Sequence, residues 1–183
     1  MPRLKYVKPD QAKGEVKKIF DSIKKDFGAI PNIFQGMAGS PVALKAYLAL
    51  NEIINEGGLS EAEQEITRIA VSQYNNCEYC LAAHTGGAKS AGMKDGEIMD
   101  IRRGNGSNEK YNALFWFTQR IMETSGYVSD EDINKFTDAG YTKENIPEVI
   151  TIIAQKTLSN YFNHVHETEL DMPKAPELEM QKA

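Results

Sequence analysis

Both cysteines of this 183-residue chain and one of its three histidines fall in a single short stretch, Asn76-Cys77-Glu78-Tyr79-Cys80-Leu81-Ala82-Ala83-His84. The pattern is Cys-x-x-Cys-x-x-x-His. A thiolate, not a thiol, is the nucleophile, and at the ordinary pKa of ~8.5 only about 3% of a thiol is ionised at pH 7. Two features raise that fraction here. A helix start favours an anion by ~0.3–2 kcal/mol. A histidine one turn along can accept the proton or, once protonated, hold the thiolate. Burial works the other way, so the helix start alone does not suffice and His84 becomes necessary. Glu65 matters if the fold carries it to the imidazole, where a carboxylate would orient the ring and stabilise its charged form.

Several chemistries fit these residues. The sharpest is a dithiol centre that cycles between two thiols and a Cys77–Cys80 disulfide. A thioredoxin places this motif in a βαβ unit, which this sequence lacks. A zinc site needs four ligands, and Glu65, His164 or His166 would have to join the three local ones. A transition-metal site at Glu65, Cys77, Cys80 and His84 stays open. So does the plain reading of two buried cysteines acting as small hydrophobes beside a hydrogen-bonded histidine. His164 and His166 are two apart, so on a helix they point to different sides and form no local chelate. Tyr79 is expected to point away from the cysteines as packing, and Phe115, Trp116 and Phe117 to serve core and interface. The charge-rich 8–26 segment reads as the solvated side of a helix.

Helices must position the cluster. The sequence after Cys80 is helix-forming, with Ala82, Ala83, Ala88, Lys89 and Ala91, and Gly92 as a stop. At about 100° per residue, with Cys77 at zero, Cys80 lies near −60° and His84 near −20°. Leu81, Ala88 and Ala91 share that sector, which turns it towards the interior. Upstream, Ser60-x-x-Glu63 is a capping box. It opens a helix whose inward face is Ala62, Ile66, Ile69, Ala70 and Gln73, with Glu65 at the edge, about 40° from Ile69.

Elsewhere Val16, Ile19, Phe20, Ile23 and Phe27 form a helical stripe over about 13–27, ended by Gly28. Pro31 opens a short helix. Ser40-Pro41 starts another, burying Leu44, Tyr47 and Leu48 and closing at Gly57-Gly58. A short helix over about 95–102 runs into the loop Gly104-Asn105-Gly106-Ser107-Asn108. Asn108 caps a helix ended by Gly126, and Ser129-x-x-Asp132 caps one over about 129–139. A long last helix over about 147–166 carries Val149, Ile152, Ile153, Leu158, Tyr161 and Phe162. The prediction is an all-α fold of about eight helices in one domain, residues 1–183. Its tail, from about 168, is expected to be poorly ordered or arm-like.

Composition is ordinary, 41% hydrophobic and 26% charged. The 21 basic against 26 acidic residues leave a net charge of −5, which argues against nucleic acid or an anionic membrane as partner. The N-terminus has no signal-peptide pattern and no apolar run reaches bilayer length, so a cytoplasmic protein is expected. A cysteine pair in a reducing cytosol points to catalysis or metal before structure.

Glu65-x(11)-Cys77-x-x-Cys80-x-x-x-His84 resembles the signature of the alkylhydroperoxidase D-like family, within the carboxymuconolactone decarboxylase superfamily. Gly28-Ala29-Ile30-Pro31-Asn32, and Asn160-Tyr161-Phe162-Asn163-His164 with Glu169-Leu170-Asp171-Met172-Pro173, resemble its peroxidase-related branch. The resemblance spans about residues 5–176. It implies a multihelical fold in homotrimers or homohexamers, and a hydroperoxide-reducing activity in antioxidant defence. Cys80 would be the peroxidatic thiol, Cys77 the resolving thiol, and His84 with Glu65 the proton relay. No cofactor or bound metal is implied. The reductant would be a thiol or a lipoyl-bearing protein, with a peroxiredoxin as a further partner. A general disulfide oxidoreductase, or a metal- or redox-sensing protein using the same four residues, is the alternative. One position departs: the best-known members carry histidine immediately before the second cysteine, and here it is Tyr79.

Overall fold

A computed structural model describes residues 2–178, and the end of the expected tail, 179–183, lies outside the described residues. Among those described there are nine helices and no strand. They are α1 (Gly14–Phe27), α2 (Asn32–Met37), α3 (Pro41–Ile54), α4 (Glu61–Tyr74), α5 (Glu78–Ser90), α6 (Asp95–Arg102), α7 (Glu109–Thr124), α8 (Asp130–Asp138) and α9 (Asn145–His166). No helix of the described residues is long and apolar enough to cross a membrane.

The boundaries follow local chemistry. The Ser40 side chain accepts from Ala43 N–H with Pro41 in the first turn, and Asn108 accepts from Tyr111 N–H. Ser60 with Glu63 and Ser129 with Asp132 each close a reciprocal capping box. Each such cap satisfies backbone donors that a helix start leaves free, worth typically ~1 kcal/mol.

The axis of the molecule is α4, which packs on α5, α7 and α9. Every residue from Glu63 to Ser72 is buried. A helix buried all round must find internal partners for its polar side chains, because an unpaired polar group away from water costs about 1–3 kcal/mol. Two apolar clusters flank it. One joins α4 to α6, α7, α8 and α9, including a stack of Phe117, Phe136 and Tyr141 with ring centroids 4.3 and 4.4 Å apart. The other joins α1, α2 and α3 to Cys77, Tyr79 and Cys80.

Three apolar residues placed in helical stripes from sequence are on the surface instead. Phe27 is 65% exposed, and Leu158 and Tyr161 point outward from α9. The inward face of α9 beyond Ile153 is polar: Gln155, Lys156, Ser159, Asn160, Asn163 and His166. Phe115 and Phe117 are core, whereas Trp116 is half exposed with its indole N–H donating to the Gly104 carbonyl at 3.0 Å. Residues 168–178 run without helix back over the molecule. There Arg102 donates to the Pro176 carbonyl at 2.7 Å, and Glu169 N–H donates to the Tyr6 hydroxyl at 3.2 Å.

Phe136, sandwiched between two rings and 1% exposed, leaves a cavity when truncated. Phe136→Ala is expected to cost about 3–5 kcal/mol, read as a shift in urea midpoint. The thiols, in the other apolar cluster, should keep their reactivity.

Candidate active site

The cluster is built across the α4–α5 turn and closed by α9. Glu65 and Arg68 lie one turn apart on α4, and the Arg68 guanidinium bonds the Glu65 carboxylate. After α4 the chain turns at Asn76, which takes a left-handed φ of 54°. Cys77 follows as the extended N-cap of α5, its N–H donating to Ser72 O at 2.9 Å. Cys80 and His84 are in the helix proper. Both cysteines are free thiols, 1% and 2% exposed.

The fold carries Glu65 to His84. Its other carboxylate oxygen lies 2.8 Å from His84 Nδ1. The close approach depends on Gly87, one turn beyond Ala83 on α5, where an added Cβ would stand 2.5 Å from that carboxylate oxygen. His84 Nε2 faces Lys156 Nζ at 2.6 Å, and Lys156 also donates to the Tyr47 hydroxyl at 3.0 Å. A carboxylate on one side and an ammonium on the other assign the neutral tautomer, with Nδ1–H donating to Glu65 and Nε2 accepting from Lys156.

Two residues of α9 reach the sulfurs. Asn163 Nδ2 donates to Cys80 Sγ at 3.1 Å and stands 4.0 Å from Cys77 Sγ. Ser159 Oγ lies 4.0 Å from Cys80 Sγ. Among the described residues no hydrogen bond joins His84 to either sulfur.

The electrostatics separate the two thiols. The hydrogen bond from Cys77 pulls Cys80 down most, burial pushes back, and the charge of Lys156, with His84 and the Asn163 amide, holds it well below the ordinary thiol value. The same hydrogen bond and burial push Cys77 up. For Glu65, burial pushes the carboxyl up, but His84 and then Arg68 pull harder and hold it at about 2. Burial, then the Lys156 charge, push the His84 imidazole down, and Glu65 offsets this only in part.

A cavity of about 780 Å³ opens onto this arrangement. Cys80, His84, Lys156, Glu65 and Arg68 line it together with the apolar Phe27, Ile33, Phe34, Leu48 and Met172 and with polar groups of α3 and α4 that include Asn51, Glu61 and Gln64. Tyr79 belongs to the same wall, contrary to the expectation that it points away. Its hydroxyl accepts from Ile33 N–H at 3.3 Å and donates to Asp171 Oδ1 at 2.8 Å. Asp171 Oδ2 in turn accepts from Asn32 N–H at 2.6 Å, so the chain beyond α9 is tied to the cavity rim.

His164 is exposed and His166 is fully buried against Phe162 and Gly36, and neither joins the cluster. The metal alternative finds poor donors, because both nitrogens of His84 are engaged. Among the described residues no group of three or more His, Cys, Asp or Glu side chains is arranged to hold an ion. Lys156, Ser159 and Asn163 escaped the sequence reading. Their signal is register: from Ile152 they continue the buried face at i+4, i+7 and i+11, where apolar residues are the rule.

Residues 41–117, from α3 into α7, match the Carboxymuconolactone decarboxylase family. The chain is 24% identical over 120 residues to the uncharacterized protein YdfG of Bacillus subtilis (strain 168), across 63% of this chain and 81% of that one. Its fold is similar to the alkylhydroperoxidase AhpD core of an uncharacterized peroxidase-related protein from Ralstonia eutropha JMP134. The TM-score is 0.84 at 20% identity, covering 93% of this chain and 92% of the other. The debrominase Bmp8, solved in complex with 2,3,4-tribromopyrrole, has a TM-score of 0.77 at 17% identity, covering 92% and 91%. The multihelical alkylhydroperoxidase D-like fold is therefore the fold of this chain, and the family match falls on the helices that carry Glu65, Cys77, Cys80 and His84.

Removing the Glu65 charge leaves Arg68 a buried cation without its partner. Glu65→Gln is expected to lose about 3–5 kcal/mol at pH 7, read by urea denaturation. The folded pKa of about 2 lies below the unfolded value of ~4.3, so the carboxylate stabilises fully above the unfolded value. That contribution is shed as pH falls from there towards 2. Wild type should show this acid limb and the Gln variant should lack it.

Proposed function

We propose that this chain, alkylhydroperoxidase D-like in fold and matching the Carboxymuconolactone decarboxylase family over its central segment, is a thiol-dependent hydroperoxide reductase serving antioxidant defence. The observation that carries the reading is the asymmetry of two adjacent buried thiols beside a largely apolar cavity. Cys80 is biased to thiolate and Cys77 to thiol, which is the division that a peroxidatic and a resolving cysteine require.

The Cys80 thiolate attacks the outer oxygen of R–O–OH. The O–O bond breaks, Cys80 becomes a sulfenic acid, and the alkoxide leaves with a proton from the polar relay of which Glu65 and His84 are part. Cys77 then attacks Cys80, its proton and the sulfenic hydroxyl depart as water, and the Cys77–Cys80 disulfide closes. A thiol or lipoyl-type carrier returns the two electrons, with a peroxiredoxin as a candidate downstream partner. The burial of both sulfurs favours a small hydroperoxide over a folded protein disulfide as the oxidant, which ranks the general disulfide oxidoreductase second. Assembly as a homotrimer or homohexamer accords with an outward apolar face on neighbouring α3 and α9. It includes Val42, Ile53, Ile150, Leu158, Tyr161 and Val165.

Reduced protein mixed with cumene hydroperoxide should lose two thiols per chain by mass. Burying the aromatic group in the cavity contributes about 1.5–3 kcal/mol. Cumene hydroperoxide should therefore react about 10- to 100-fold faster than hydrogen peroxide. Cys80→Ser should consume no peroxide above buffer, and Cys77→Ser should leave a dimedone-trappable sulfenic acid on Cys80. Full activity in Cys80→Ser would overturn the assignment.

A further inference from the structure

We propose that Lys156 is the counter-ion of the Cys80 thiolate and the acid that protonates the departing alkoxide, a role that rests on the peroxide-reducing reading above. Lys156 is the one lysine buried among the described residues, at 1% exposure. A buried ammonium is costly unless an anion compensates it. Its two partners are neutral: the Tyr47 hydroxyl and the Nε2 lone pair of His84. The Glu65 carboxylate is already divided between Arg68 and His84 Nδ1.

The groups facing Cys80 come from every element packed around it. They are Cys77 at the N-cap of α5, Tyr79 and His84 on α5, Glu65, Arg68 and the solvent-exposed Glu61 on α4, Tyr47 on α3, and Lys156 on α9. Asp171, from the chain beyond α9, is bound to the Tyr79 hydroxyl. Arg68 and Glu65 cancel, His84 is neutral, and Asp171 meets a hydroxyl and a backbone N–H at the rim. Lys156 is left as the uncompensated charge, and a thiolate at Cys80 makes the enclosed site neutral. The helix agrees with this pairing. Ser159 and Asn163, at i+3 and i+7 from Lys156 on the same face of α9, are the residues that touch Cys80 Sγ.

The same balance holds through the reaction. Before it, the site holds Cys80–S⁻, Cys77–SH and Lys156–NH₃⁺. Attack on R–O–OH forms the S–O bond and releases RO⁻, which takes a proton from Lys156 to give ROH and a neutral amine. Closure of the disulfide expels water. Thiolate and ammonium charges vanish together, so no enclosed charge is left alone at any stage. An ammonium has three donors. Two are held by Tyr47 and His84, and the third remains for the cavity that Lys156 and Cys80 both line.

The test separates charge from proton transfer. In a Cys77→Ser background, the Cys80 thiolate is titrated by its absorbance near 240 nm. Lys156→Met should move the titration upward, by the 1–3 units an adjacent charge commands, so the thiolate signal at the pH of the unsubstituted midpoint falls about fivefold or more and returns as pH rises. An unmoved titration overturns the counter-ion role. Lys156→Arg, with both cysteines present, keeps the cation but holds its proton. Thiolate should persist while cumene hydroperoxide consumption falls about 100-fold or more, and wild-type consumption overturns the acid role. If Lys156→Met does not fold, the arginine variant decides alone: loss of the thiolate signal in a folded arginine protein, or undiminished turnover, each count against the proposal. The titration reads Cys80 without peroxide. A wild-type protein inert to hydroperoxides, but with a Lys156-dependent thiolate, would defeat the peroxidase reading and leave the counter-ion standing.

Discussion

A single carboxylate, enclosed on the central helix and shared between a guanidinium and an imidazole, is the interaction on which this structure turns. Helix α4 is buried on all sides, and an isolated charge in such a place would cost many kcal/mol. Glu65 makes the arrangement tolerable by answering two neighbours at once. One oxygen binds Arg68, which is held further by Gln64 and Asn51. The other fixes the tautomer of His84 and so turns its free lone pair towards α9. Gly87 exists in this scheme as room for that oxygen. Remove the carboxylate and the ring, the lysine and the sulfur beyond it all lose their reference.

From this follows a division of labour among the helices. The α4–α5 hairpin supplies the residues whose spacing is local, and α9 supplies those whose proximity is tertiary. Two apolar clusters keep the parts in register, the larger one anchoring α4 to α7 and α9, the smaller one enclosing the thiols under α1–α3. The reactive sulfur thus sits at the seam between them, with hydrocarbon on one side and a polar chain on the other.

What could be read in the sequence reflects the range of the forces involved. Caps and stops are local, and Ser40, Ser60, Asn108 and Ser129 each open a helix where expected. For Glu65 the sequence offers a place at the edge of the apolar stripe of α4, and the tight turn between α4 and α5 is what brings it to His84. Lys156 is not legible there, because a lone lysine reads as solvated until its neighbours along the helix show the same buried register. For the same reason the apolar character of Leu158 and Tyr161 does not say which way they face, and the polar interior of α9 leaves both on the outside. Tyr79 was misplaced for lack of a partner in view, since the carboxylate that binds its hydroxyl lies far along the chain at Asp171. An ion at the imidazole would have to displace the same lysine, which lies 2.6 Å from Nε2.

Cys77 stands one residue outside α5, in extended backbone anchored by its own amide to Ser72. Its carbonyl accepts the first helical hydrogen bond, from Leu81 N–H at 2.9 Å, so its backbone is pinned on both sides and the side-chain torsion is the freedom left to the sulfur. Both sulfurs are lodged under the surface, at 1% and 2% exposure. Any reagent meant for Cys80 therefore has to be slender enough to enter the cavity, since a broad folded face would stop at the rim.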